Sequence, residues 1–179
     1  MSSQPPLYES LLQEFIVFRD LDVAEYDSVA SAIDRRRIDE GTEIIRTGER
    51  SRELYGLIAG RVEVLRRDDE GRDRRLAVLE PHAVLGELGF VLGDPRTATV
   101  RAIEPLDVWC LDGQMFDQLS ADHDEAARAI EDNIIRMMAQ RQTEMNKELL
   151  KLMNEAAGEG SYHVDDDDVG EQLMRRWNV

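Results

Sequence analysis

The central part of the chain, from Arg37 to Leu111, consists of short runs rich in valine, isoleucine and leucine that are separated by glycine or proline. Short apolar runs with this punctuation are typical of strands joined by turns. The punctuating residues are Gly41, Gly48, Gly60, Gly71, Pro81, Gly93 and Pro105. The pattern predicts an antiparallel roll or barrel. Its most charged stretch, Arg66–Arg75, predicts a solvated hairpin turn centred on Gly71.

Within this region the segment from Leu85 to Val100 reads LGELGFVLGDPRTATV. Gly86 and Gly89 leave backbone N–H groups open to close approach, and a short helix beginning near Glu87 points its positive end at an anion. Arg96 supplies a planar, permanent charge suited to phosphate oxygens. Phosphate repels the Glu87 carboxylate, which instead suits a hydroxyl donor such as that of a ribose. The segment therefore predicts a small anion-binding loop.

This segment closely resembles the phosphate-binding cassette of the cyclic nucleotide-binding domain family, which includes bacterial catabolite activators and the regulatory subunits of cyclic-nucleotide-dependent kinases. Gly41–Leu65 resembles the first roll strands of the family, and the likeness covers roughly residues 10–157. Gly48, Tyr55, Gly60 and Val62 stand at the matching places. One departure is Leu85, because the family usually has phenylalanine there.

The resemblance implies that Glu87 binds the ribose 2′-hydroxyl and that Arg96 binds the cyclic phosphate. It also implies that backbone N–H groups around Gly86, Leu88 and Ala98 complete the cradle. The predicted ligand-binding residues are therefore Gly86, Glu87, Leu88, Arg96, Thr97 and Ala98.

Thr97 bears on the choice between cAMP and cGMP, since its hydroxyl could reach a phosphate oxygen or the 2-amino group of a guanine. In the family a threonine here is typical of cGMP-preferring kinase domains, although several cAMP-binding members also have threonine or serine. The preference for cGMP is slight. An open alternative is an internal Glu87–Arg96 salt bridge in a protein that has lost its ligand. A structural ion pair by itself would require neither the glycines nor the PRTATV run.

The predicted fold class is α+β, an antiparallel β-roll (a double-stranded β-helix of jelly-roll type) with N-terminal helices and a long C-terminal helix. We expect N-terminal helices over 1–36, the roll over 37–111 with the cassette at 85–100, helices over 112–157, and an acidic, flexible tail over 158–179.

The N-terminal segment carries two helical patterns. Residues 7–18 place their apolar side chains on one helical face. A second helix is expected after Asp22, whose carboxylate can cap it while Glu25 occupies the third helical position. The apolar positions are Leu7, Leu11, Leu12, Phe15 and Phe18 in the first helix, and Val23, Tyr26, Val29, Ala30 and Ile33 in the second.

From Asp124 to Ala157 the chain contains no proline or glycine, which predicts one long helix. Its apolar stripe is formed by Ile130, Ile134, Met137, Met138, Met145, Leu149 and Leu152. Met138, Met145 and Leu152 repeat at heptad spacing, although Arg141 interrupts the seam. Two interpretations stay open, packing on the chain's own roll and a parallel coiled coil with a second copy. We expect a homodimer through the helix at 124–157.

The segment from Gly158 to Val179 is strongly acidic at VDDDDV, and it is too short for a winged helix-turn-helix. A sensor without a DNA-reading part is therefore expected. His163 lies beside Asp165–Asp168, but consecutive residues cannot all converge on one ion, so an acidic disordered tail is favoured over a metal site. The final LMRRWNV suits either a docking peptide or a frayed terminus.

The formal charge of −16 argues against a nucleic-acid surface, which needs a concentrated basic face. The single cysteine, Cys110, excludes a disulfide within the chain and is expected to be buried in a strand. The sequence has no apolar stretch near the ~20 residues that span a bilayer, and its N-terminus lacks a signal pattern. These features predict a cytoplasmic protein without a membrane or DNA partner.

The sequence does not indicate a catalytic site. His82 and His123 lie far apart, and neither has a nucleophile, a base or a metal ligand at the spacing that catalysis requires. The sequence thus predicts a stand-alone sensor that binds cAMP or cGMP, uses no cofactor, and signals through its long helix to an unidentified protein partner. The alternative is a ligand-free scaffold of the same fold that assembles a larger complex.

Overall fold

The computed structural model describes residues 11–30, 32–121 and 125–158. It divides into two compact units, the first ending at Met137 and the second beginning at Met138. The described strands are β1 (Ile33–Ile38), β2 (Glu43–Ile45), β3 (Glu53–Ala59), β4 (Val62–Arg67), β5 (Asp73–Leu79), β6 (Val84–Leu85), β7 (Thr99–Ala102) and β8 (Leu106–Asp112). The described helices are a 3-10 helix (Ile16–Phe18), α1 (Val23–Ala30), α2 (Glu87–Leu92), α3 (Gly113–Ala121) and α4 (Glu125–Gly158).

The strands form two four-stranded sheets in the orders β1-β8-β3-β6 and β2-β7-β4-β5. Every strand pair is antiparallel. An apolar core takes inward-facing residues from both sheets, as the alternation of side chains along strands requires. Its buried members are Ile45, Tyr55, Leu57, Val62, Leu85, Val100, Ala102, Leu106, Val108 and Cys110. The predicted α+β fold with an antiparallel roll is confirmed.

The opposite face of the first sheet is built around Trp109. This side chain is fully buried, and the rings of Phe15 and Phe18 lie 5.2 and 4.9 Å from its ring. Gly56 makes room for it, because a Cβ there would lie 1.9 Å from the indole. The sheet thus has an apolar core on each face, one inside the roll and one toward the N-terminal segment.

The N-terminal predictions were partly right. The capping pair is confirmed, since the Glu25 amide donates to Asp22 Oδ1 at 2.9 Å and the Asp22 amide donates to Glu25 Oε2 at 2.7 Å. The single helix over 7–18 is wrong in its described part: Leu11 and Leu12 are helical, but Phe15 is extended before the 3-10 helix. Packing of Phe15 and Phe18 on Trp109 outweighs the helical spacing.

The expected end of the second helix was also misplaced. Ile33 was predicted on its apolar face, and the roll was expected from residue 37. Instead Ile33 begins β1 and pairs with Leu111 of β8, where it is buried. A buried position between two strands satisfies the same apolar residue, so spacing alone could not separate the two structures. Leu7 lies outside the described residues.

Two further sequence predictions, the charged turn and the buried cysteine, are confirmed. Arg66–Arg75 contains the turn between β4 and β5, with Gly71 at φ +77°. Cys110 is buried in β8. Within the described ranges no helix is both long and apolar enough to cross a membrane.

The long helix α4 is confirmed from Glu125 onward, and its residues meet two different environments. In the first unit Ala126, Ala127, Ile130, Ile134 and Met137 are buried. The buried Asn133 amide donates to the Arg19 carbonyl at 2.8 Å and lies 3.4 Å from that of Val17. In the second unit the large apolar side chains Met145, Leu149, Leu150, Leu152 and Met153 are exposed. Among the described residues, the stripe is therefore buried in the first unit and, from Met145 onward, exposed in the second.

Candidate anion-binding site

The predicted loop begins where β6 ends at Leu85. Gly86 adopts the left-handed conformation at φ +84°, which favours glycine, and α2 begins at the next residue as predicted. The helix is short: the Phe90 amide donates to the Gly86 carbonyl at 3.0 Å, and Gly93 at φ +68° ends it. A tight strand-to-helix turn thus places Glu87 in the first turn of α2.

Arg96 is only 3% exposed, and its guanidinium is held inside the protein. Nη1 donates to the Gly86 carbonyl at 2.6 Å, and Nη2 donates to the Glu53 carbonyl at 2.6 Å. Nε donates to the Ser51 hydroxyl at 3.1 Å. These acceptors come from two separate segments, residues 51–53 at the start of β3 and Gly86 in the loop, so the guanidinium is positioned by the tertiary fold rather than by the loop alone.

The backbone of Arg96 is fixed as well. Its amide donates to the Glu49 carbonyl at 2.8 Å, and its carbonyl accepts from the Gly48 amide at 2.8 Å. Gly48 has φ +86°, so the turn before β3 depends on a residue that tolerates this conformation. The position of Arg96 is therefore determined at both its backbone and its side chain.

The glycines of the loop make room for this guanidinium. A Cβ at Gly86 would lie 2.5 Å from Arg96 Nη1, and a Cβ at Gly89 would lie 2.9 Å from the same atom. Gly86 and Gly89 are therefore needed even without a ligand, contrary to the expectation that an internal Glu87–Arg96 salt bridge would require neither. They are required because the arginine packs inward against the backbone.

Burial lowers the pKa of the Arg96 guanidinium, while the nearby Tyr55, Glu53 and Glu87 oppose that shift. An arginine stays protonated in proteins, so the site holds a desolvated positive charge. Its three described acceptors are two carbonyls and one hydroxyl, all neutral. A buried cation held by neutral dipoles is a favourable environment for an incoming anion.

The other predicted residues surround this charge unevenly. Glu87 is half-buried and close enough to act on Arg96 by charge. Leu88 and Thr97 are exposed, and Ala98 is half-buried on the segment that joins Arg96 to β7. The structure therefore brings Gly86, Glu87 and Arg96 together. The roles of all six residues as ligand contacts remain predictions.

Sequence reasoning missed Ser51 and Glu53, which lead into β3 and hold the fork. The Glu53 carboxylate is itself fixed, because Tyr55 donates its hydroxyl to Oε2 at 2.8 Å and Arg36 Nη1 donates to Oε1 at 3.1 Å. Ser51 contacts Arg96 through its side chain and Glu53 does so through its backbone carbonyl, so the alternation of side chains along β3 gives no signal for the pair. Their meeting with Arg96, more than forty residues away, left no local signal.

In the part of the chain that the structure describes, no group of three or more His, Cys, Asp or Glu side chains could hold a metal ion. His82 is exposed, with Nδ1 3.4 Å from Glu14 Oε2. His123, and His163 with its neighbouring aspartates, lie outside the described residues.

Comparison with known proteins agrees with this geometry. Residues 35–123 match the family model of the cyclic nucleotide-binding domain. The chain is 29% identical over 125 residues to a cAMP-dependent protein kinase regulatory subunit of Dictyostelium discoideum, covering 68% of this chain and 38% of that protein. It is 29% identical over 112 residues to a cGMP-dependent protein kinase of Plasmodium berghei, covering 62% of this chain and 12% of the kinase. The chain thus spans well under two thirds of the length of these relatives.

Two solved structures extend the likeness. The catabolite activator protein of Thermus thermophilus is 26% identical with a TM-score of 0.65, covering 77% of this chain and 63% of that one. The regulatory subunit of a cAMP-independent protein kinase A from Trypanosoma brucei is 25% identical with a TM-score of 0.66, covering 81% of this chain and 51% of that one. The chain therefore carries a cyclic nucleotide-binding domain of this family over residues 35–123.

Proposed function

We propose that this chain is a regulatory protein that binds cAMP or cGMP in its roll and passes the binding event through α4 to a protein partner. The observation that carries the proposal is the buried Arg96, held by Gly86, Ser51 and Glu53 through neutral acceptors. The match of residues 35–123 to the cyclic nucleotide-binding family supplies the ligand class.

The proposed pose follows from charge and hydrogen-bonding chemistry. The cyclic phosphate binds Arg96, because a desolvated guanidinium gains most from an anion. The ribose 2′-hydroxyl donates to Glu87, and the amides around Leu88 and Ala98 complete the cradle. Thr97 contacts the phosphate or the base. None of these steps needs catalysis, so the proposed role is binding and regulation.

We propose that a change at the loop reaches α4 through the roll. Arg96 joins the loop to the start of β3, and the first half of α4 is buried in the same unit. A ligand biases two conformations only by its difference in affinity for them. Arg96 is already buried, so we propose that the ligand favours a conformation in which the turn at Gly86–Leu88 moves toward Arg96 and α4 shifts against the roll.

The output is proposed to be a homodimer, or a surface that another protein reads. Met145 and Leu152 lie seven residues apart on α4 with Leu149 between them, and all three are exposed in the single chain. An apolar stripe of this kind becomes buried in a parallel coiled coil with a second copy. The acidic composition disfavours a DNA partner, and the proposed location is cytoplasmic.

A second candidate function is a ligand-free scaffold. It is favoured by one observation, namely that Arg96 already has hydrogen-bond partners for all three guanidinium nitrogens inside the chain. The similar Trypanosoma brucei subunit, from a kinase described as cAMP-independent, fits this alternative.

Thermal unfolding with and without ligand separates the two functions. A binder gains RT ln(1 + [L]/Kd), about 2.7 kcal/mol at a hundredfold excess over Kd, whereas a scaffold gains nothing. We expect cAMP or cGMP to raise the unfolding temperature and 5′-AMP to leave it unchanged. An unchanged unfolding temperature with both cyclic nucleotides at millimolar concentration would favour the scaffold.

A further inference from the structure

The three residues Ser51–Arg52–Glu53 form a junction at the start of β3. Ser51 accepts from the Arg96 guanidinium through its hydroxyl, and Glu53 accepts from it through its backbone carbonyl. Arg52, between them, contacts different elements. A single short segment thus meets the proposed anion site with its outer residues and the helices α2 and α3 with its middle residue.

Arg52 joins α2 to α3 directly. Its Nε and Nη2 donate to the Phe90 carbonyl of α2 at 3.2 and 3.0 Å. The same Nη2 donates to Asp117 Oδ1 of α3 at 3.0 Å, and Nη1 donates to the other carboxylate oxygen. One planar guanidinium therefore binds the end of the cassette helix and a carboxylate on the next helix in fixed geometry.

Close packing surrounds these hydrogen bonds. Gly113, the first residue of α3, lies against the Arg52 backbone, because a Cβ there would sit 2.1 Å from the Arg52 carbonyl oxygen. The rings of Phe90 and Phe116 lie 5.1 Å apart. The two helices therefore share both an aromatic contact and a polar contact, and Arg52 supplies the polar one.

We propose that Arg52 is a positioning residue that fixes α3 to the cassette helix through Asp117. The part of the proposal that concerns the ligand rests on the proposed function. A ligand that displaces the Arg96 guanidinium moves Ser51 and Glu53, and Arg52 lies between these two residues. In the absence of ligand the proposal makes a claim of its own, namely that Arg52 and Asp117 hold α3 on α2.

The test is hydrogen exchange of residues 87–92 and 113–121 in the full chain, comparing wild type with Asp117→Asn. Asp117 is exposed and lies outside the proposed binding residues. Asparagine keeps the shape of the side chain and removes its charge. The matched control is Glu104→Gln, which breaks the exposed Arg61–Glu104 ion pair in the same way. Asp117→Glu keeps the charge and is expected to restore wild-type exchange.

Without ligand, we expect Asp117→Asn to speed exchange in α3 by up to about fivefold, the range that a partly exposed pair supports. Glu104→Gln should leave α3 unchanged. With saturating cAMP or cGMP, we expect Asp117→Asn to bind as tightly as wild type but to lose the ligand-induced protection of α3 while keeping that of α2.

Equal exchange of α3 in Asp117→Asn, Glu104→Gln and wild type, with and without nucleotide, would overturn the proposal. Failure of wild type to bind either nucleotide in calorimetry would instead contradict the proposed function. In that case the ligand-free comparison still decides the role of Arg52: faster α3 exchange only in Asp117→Asn supports it, and unchanged exchange overturns it.

Discussion

The loop around Arg96 and the second unit of α4 differ in how completely one chain satisfies them. Arg96 is buried, and its guanidinium nitrogens have acceptors on Gly86, Ser51 and Glu53. From Met138 onward, by contrast, α4 leaves large apolar side chains in solvent, with Met145 72% and Leu149 56% exposed. Contacts within the chain hold the loop in place, whereas the described part of the second unit has apolar side chains exposed to solvent.

Under the proposed function, this difference assigns ligand recognition to the loop and output to the second unit. A preorganised cation lowers the cost of ordering the site when a ligand arrives, so recognition can be a property of a single chain. An exposed apolar stripe gains free energy only when a partner covers it. Substitutions in the two regions should therefore affect different measurements.

The largest effect is expected from a charge on the proposed dimer seam. Leu149→Asp places a carboxylate from each copy near the two-fold seam, and an uncompensated buried charge costs about 3–5 kcal/mol. Sedimentation should then show a monomer where wild type is a dimer. The matched control is Lys147→Asp, two residues away and off the seam, which should remain dimeric. A monomeric wild type would contradict the proposed homodimer.

The two halves of α4 should respond differently to truncation of one apolar side chain. Ile130 is fully buried, so Ile130→Ala should lower the free energy of unfolding by about 2–5 kcal/mol. Leu149→Ala removes an exposed side chain and should change it by less than about 0.5 kcal/mol in dilute, monomeric protein. Urea unfolding at low concentration measures both. Equal losses would contradict the difference in burial.

In the loop, Arg96→Ala should cost about 2–5 kcal/mol of cyclic nucleotide binding, the usual effect of truncating one partner of a desolvated charge pair. Arg96→Lys keeps the charge without the planar fork and should recover only part of the affinity. Lys147→Asp in the second unit should bind as wild type does. Unchanged affinity in Arg96→Ala would place the phosphate elsewhere.

Alanine substitutions at two glycines distinguish the effect of backbone strain from that of steric collision. Gly86 and Gly71 both have positive φ, but a Cβ at Gly86 meets Arg96 while a Cβ at Gly71 has open space around it. Both alanine variants pay about 1–3 kcal/mol for the left-handed conformation. Gly86→Ala should lower the free energy of unfolding, measured in urea, by more than Gly71→Ala does, because it adds a collision with Arg96. Equal losses would show that Arg96 is free to shift.

The smallest effect concerns the choice of base. Thr97→Ala should weaken cGMP binding relative to cAMP by about fivefold or less, the value of one neutral hydrogen bond. Competition titration with the two nucleotides measures this ratio. An unchanged ratio would confine Thr97 to the phosphate or to no ligand contact at all.

Local chemistry allowed much of this structure to be predicted from the sequence. The capping pair Asp22–Glu25 and the helix after Gly86 each follow from neighbouring residues, and the roll follows from the turns between short apolar runs. Ile33 was misplaced, because its burial suits a helix or a strand and only pairing with Leu111 decides.

The inward orientation of Arg96 could not be predicted in the same way. Its acceptors Ser51 and Glu53 come from a distant segment, and Gly89 shows its role only once Arg96 is packed against it. The sequence thus indicates which residue carries the charge, whereas long-range packing determines how that charge is held.

Calorimetric titration of the purified protein with cAMP, cGMP and 5′-AMP tests the central claim most directly, with Arg96→Ala and Lys147→Asp in parallel. The account predicts that at least one cyclic nucleotide binds one site per chain, that 5′-AMP binds far more weakly, and that Arg96→Ala, but not Lys147→Asp, weakens binding by about 2–5 kcal/mol. No heat with either cyclic nucleotide would contradict it and leave Arg96 as a structural residue of a scaffold.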